Sequence, residues 1–130
     1  MLGRGLTDVD LTVRGQARAR ALAEDSIVRG VSAVFVTPYR RAFQTAQPLL
    51  EFLDLTAVEY AANDVPGVSR RVLDRRPRSS LIVGHCDTVP SIIRELGVVA
   101  ADVGYVTSYG DLFEVTFEAT GATLIRRTFG

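Results

Sequence analysis

Residues able to do chemistry gather in two short segments, each directly after an apolar run. Thr37-Pro38-Tyr39-Arg40-Arg41-Ala42-Phe43-Gln44-Thr45-Ala46 follows Ala33-Val34-Phe35-Val36, and Gly84-His85-Cys86-Asp87-Thr88-Val89-Pro90 follows Leu81-Ile82-Val83. Arg41 in the first and His85 in the second suit a tetrahedral oxyanion. A guanidinium fork holds two oxygens, and an imidazole donates one further hydrogen bond. Both segments also stand where a helix should start, and the free N–H groups of a first helical turn favour negative charge.

Each of these residues has a plainer reading beside the chemical one. His85 is either a ligand to the oxyanion or a structural histidine closing a strand-to-helix turn. Arg41 is either an anion ligand or a surface arginine, as Arg40 is read to be. Asp87 is either the cap of the following helix or a carboxyl placed to protonate a leaving-group oxygen. Cys86 stands at a helix start, where a thiolate is favoured, but reads as an inert packed side chain. Arg70, Arg71, Arg75, Arg76 and Arg78 form a basic run that reads as a solvated face.

The elements that must position these residues alternate between helix and strand. Thr12 reads as the N-cap of a helix from Val13 to about Val28, with Ala17, Ala21, Leu22 and Val28 on its apolar face. Ala33–Val36 reads as a buried strand, followed by a helix from Tyr39 to Leu53 opened by Pro38. A short strand over Ala57–Tyr60, a loop from Asn63 to Gly67 and a helix from Val68 to Arg76 come next. Ser80–Gly84 is the clearest strand, followed by a helix from Thr88 to Leu96 that Gly97 stops. Residues 98–110 read as loop. Leu112–Phe117 and Thr123–Thr128 alternate as a hairpin turned near Gly121. Strands separated by helices imply a three-layer α/β/α fold with a mostly parallel sheet, to which the hairpin adds an antiparallel edge. In such sheets ligands bind beyond the carboxyl ends of the strands, where both segments fall.

Composition narrows the function classes. The chain has 130 residues, the size of a single domain spanning 1–130, and 47% of them are hydrophobic. Its 15 acidic residues balance 15 basic ones, all arginine, so no net positive field points to nucleic acid or an anionic membrane. One cysteine and one histidine exclude a disulfide framework and a Cys/His zinc site. No apolar run reaches the ~18 residues of a membrane span, and a cytoplasmic location is expected. No Gly-x-Gly-x-x-Gly follows a strand, which leaves little support for a dinucleotide-binding domain.

Thr37-Pro38 with Arg41-Ala42-x-Gln44-Thr45-Ala46 resembles the second motif of the histidine phosphatase (phosphoglycerate-mutase-like) superfamily. Val83-Gly84-His85 with Asp87-Thr88-Val89-Pro90 is similar to its late histidine motif, and Leu11-Thr12-x-Arg14-Gly15-x-Ala17-x-Ala19 to its first helix. The ending, Asp111-Leu112-Phe113 through Gly130, is similar to the closing hairpin of a small bacterial branch. The resemblance implies a phosphoglycerate-mutase-like fold, metal- and cofactor-free phosphomonoester hydrolysis, phosphate contacts from Thr37, Arg41 and His85, and catalytic roles for His85 and Asp87. Relatives in that branch usually carry Asn where Asp87 stands.

One departure matters. Family members begin with a central strand ending in Arg-His-Gly or Arg-His-Ala, whose histidine is phosphorylated during turnover. Here Arg4-Gly5 with Thr7 echoes that motif without its histidine, which makes Arg4 a further candidate phosphate contact. The expectation is therefore a phosphate- or phosphomonoester-binding domain lacking its first strand, with impaired phosphatase activity. The alternative is a non-catalytic phosphate- or protein-binding module. Neighbouring strands that pair directly, or a homodimer that exchanges segments, would compensate for the absent strand.

Overall fold

The computed structural model describes residues 9–85, 87–99 and 111–129. Helix α1 spans Val13–Glu24, and the Thr12 hydroxyl accepts the Gly15 N–H at 3.0 Å as its N-cap. Its buried face is Ala19, Leu22 and Ala23, whereas Ala17 is exposed, so the stripe is rotated from the one expected. The helix also stops short of Val28. The Asp25 carboxylate accepts the N–H groups of Ile27 and Val28 and starts a separate 3₁₀ turn, Val28–Gly30.

Strand β1, Ala33–Val36, is buried throughout. Helix α2, Arg40–Leu53, buries Ala42, Ala46, Leu49 and Leu50 at helical spacing and tolerates Pro48 inside it. After β2, Val58–Glu59, helix α3 covers Val65–Asp74 and not 68–76. Asp64 caps it by accepting the Gly67 N–H at 3.1 Å, and Pro66 fits its first turn, so part of the expected loop is helix. Strand β3 is Ser80–Val83 and helix α4 is Val89–Glu95. Gly97, at φ 99°, takes the left-handed conformation that ends the chain's helical run. Strands β4, Asp111–Glu118, and β5, Gly121–Thr128, form the hairpin.

The sheet order is β2-β1-β3, all parallel, with Val34 opposite Leu81 and Val36 opposite Val83. Alternation along β1 divides the core. Val34 and Val36 pack with Leu22, Ala46 and Leu49 under α1 and α2. Ala33 and Phe35 pack with Val68, Val72 and Ile92 under α3 and α4. These are the two helical layers of an α/β/α fold.

The hairpin departs from expectation. Among the described residues it is a two-stranded sheet of its own and not an antiparallel edge of the parallel sheet. Side chains attach it instead. Phe113, Val115, Ala122 and Leu124 pack on Ile93 and Val98, and Arg127 pairs with Asp25 at 2.7 Å. Among the described residues no helix is long and apolar enough to cross a membrane.

Candidate functional site

Because β1 and β3 are parallel and in register, Thr37 and Gly84-His85 leave the sheet at the same end. Gly84 permits a close turn there. A Cβ on it would lie 2.9 Å from Val89 Cγ2, inside the contact distance of carbon atoms, so only glycine lets α4 begin against the strand. Thr88 closes that turn: its hydroxyl accepts the His85 N–H at 3.0 Å and donates to the His85 carbonyl at 3.2 Å.

The His85 ring is held on two sides. Its Nε2 lies 2.9 Å from the Thr37 hydroxyl, and Thr37 is 1% exposed. Tyr39 meets the ring edge-to-face, with centroids 5.5 Å apart, and the Arg41 guanidinium sits 5.5 Å from the Tyr39 ring. Behind them Tyr60 binds the strand ends together through its N–H to Val36 and its hydroxyl to Val83. In front is an open cavity of about 360 Å³, lined by Tyr39, Arg41, Ala62, Asn63, His85, Asp87 and Thr88.

The structure thus brings Arg41, His85 and Asp87 to one cavity. Thr37 lies behind His85 and does not line it. Asp87 does not cap α4, since Thr88 holds the flanking position and Asp87 faces the cavity. Arg4 and Cys86 lie outside the described residues. Sequence reasoning included Tyr39 and Thr88 in the two segments without assigning either a role, and did not find Ala62, Asn63 or Tyr60. Ala62 and Asn63 arrive because β2 is parallel to β1, which sends the following loop to the same end. Among the described residues no group of three His, Cys, Asp or Glu side chains could hold a metal ion.

Burial and then the nearby Arg41 charge lower the His85 pKa below 6.5, against a smaller opposing pull from Asp87. The shift favours the neutral imidazole, which offers one donor and one acceptor. Among the described residues that line the cavity, the cation is Arg41. A guanidinium, a neutral imidazole N–H and the start of a helix on one concave surface can hold a tetrahedral oxyanion.

Residues 2–63 match the model of the histidine phosphatase superfamily (branch 1). The likeness is to the histidine phosphatases. It extends to the fold: the structure of the protein histidine phosphatase SixA complexed with tungstate is similar at a TM-score of 0.67 and 23% identity, covering 92% of this chain and 83% of that one. The histidine phosphatase match includes Thr37, Arg41 and the loop carrying Ala62 and Asn63, whereas His85 and Asp87 lie beyond it. No curated protein sequence matches the chain.

Proposed function

We propose that the chain is a histidine-phosphatase-type domain that binds a phosphate monoester in the cavity between the ends of β1 and β3. The observation that carries this reading is the convergence of Arg41 and His85, from two different strand–helix junctions, on one cavity. Arg41 supplies the charge and a bidentate fork, and His85 supplies a neutral donor. Asp87, which lines the same cavity, would protonate a departing oxygen. Tyr39, Ala62, Asn63 and Thr88 complete the lining, and Asn63 and Tyr39 would meet the organic part of the monoester. SixA was solved with tungstate, a tetrahedral oxyanion, which supports the same class of ligand here.

Phosphoryl transfer through a phosphohistidine requires a nucleophilic imidazole beside the ligand-binding one, and the sequence contains a single histidine. The function proposed for these 130 residues is therefore phosphate-monoester binding with impaired hydrolysis. Calorimetric titration with inorganic phosphate tests it. Saturable binding that weakens at least tenfold in Arg41→Ala is expected; equal binding by the variant would remove the reading.

A further inference from the structure

Thr37 belongs to the segment that begins the site, yet its side chain is buried behind His85 and faces the imidazole, not the cavity. Its hydroxyl lies 2.9 Å from Nε2, and no other hydrogen bond of that hydroxyl is found among the described residues. A hydroxyl either donates or accepts, and a neutral imidazole carries one proton on one of two nitrogens. The direction of this bond therefore sets the tautomer. If Nε2 carried the proton and gave it to Thr37, Nδ1 would turn a lone pair toward an incoming oxyanion.

We infer that Thr37 is a positioning residue that donates its hydroxyl proton to His85 Nε2 and so holds the imidazole as the Nδ1–H tautomer, with that N–H directed at an oxyanion in the cavity. One feature of the surroundings agrees. Nδ1 has no hydrogen-bond partner among the described residues, although His85 lines the cavity. The inference rests on the proposed function, because it is the oxyanion that calls for a donor at Nδ1.

The single histidine makes the test clean, because long-range proton–nitrogen spectra of the ¹⁵N-labelled chain show one imidazole. Spectra are recorded at pH 8 without ligand and then during titration with inorganic phosphate, for the wild type, Thr37→Ser and Thr37→Val. The wild type and Thr37→Ser should show an unprotonated Nε2 and a protonated Nδ1. Thr37→Val should move the proton toward Nε2 and bind phosphate about tenfold more weakly, the loss of roughly one hydrogen bond. A proton on Nε2 in the wild type or Thr37→Ser overturns the inference, as does an unchanged tautomer in a folded Thr37→Val. The expected tautomers with no phosphate binding by any variant would support the positioning role and contradict the proposed function.

Discussion

The Tyr60 hydroxyl donates to the Val83 carbonyl at 2.9 Å while the Tyr60 N–H donates to the Val36 carbonyl at 2.9 Å. One residue after β2 thereby ties together the ends of β1 and β3 that carry Thr37 and His85. Tyr60→Phe removes the donor to Val83 and should cost about 1–3 kcal/mol in denaturant unfolding. Burial pushes the Tyr60 phenol up to about 12 from 10.0, so the folded state resists its ionisation. That contribution is complete below pH 10 and is lost as pH rises through about 12. The stability gap between wild type and Tyr60→Phe should therefore narrow between pH 10.0 and about pH 12. A constant gap would contradict the assignment.

Gly84 sets how closely α4 approaches the sheet. Alanine there forces a Cβ to 2.9 Å from Val89 Cγ2, and the overpacking should cost about 1–3 kcal/mol. The displaced turn carries His85 and Thr88, so phosphate affinity should fall with it. Calorimetry on folded Gly84→Ala checks this, and unchanged affinity would mean the turn yields without moving His85.

The hairpin's tie to α1 has an acid limit. The hydrogen bond from Arg127, with those from the Val28 and Ile27 N–H groups, lowers the Asp25 pKa to about 2 from 3.8. The stabilisation is present above pH 3.8 and is lost as pH falls toward 2. Asp25→Asn should lower the melting temperature at pH 6 and converge with wild type near pH 2. Equal melting temperatures at pH 6 would show that hydrophobic packing alone holds the hairpin.

Both halves of the cavity were legible in the sequence wherever a local signal existed. The all-apolar run of β1 and the Pro38 that opens α2 located Arg41, and the apolar run before Gly84 located His85. The start of α3 was also signalled, by Asp64 and Pro66, but the neighbouring glycine and polar residues read more strongly as loop. Ala62, Asn63 and Tyr60 gave no local sign, because only the parallel pairing of Val36 with Glu59 brings them to the site. Nor does hairpin alternation say whether the hairpin joins the main sheet. That depends on long-range hydrogen bonding, and here Ile93 and Val98 take it up by packing instead.

The single histidine also carries a prediction for activity. The 130-residue chain should hydrolyse p-nitrophenyl phosphate at or near the uncatalysed rate, since one imidazole cannot both receive the phosphoryl group and support it. A trapped phosphohistidine that disappears in His85→Ala would show that His85 serves as nucleophile.

The most direct measurement of the central claim is a crystal structure of the chain soaked with tungstate, with the tungsten located by anomalous scattering. The account predicts one strong peak in the cavity, within hydrogen-bonding reach of both the Arg41 guanidinium and His85, and its loss in Arg41→Ala. A peak elsewhere, such as on the arginines of α3, or none in a cavity open to solvent, would contradict it.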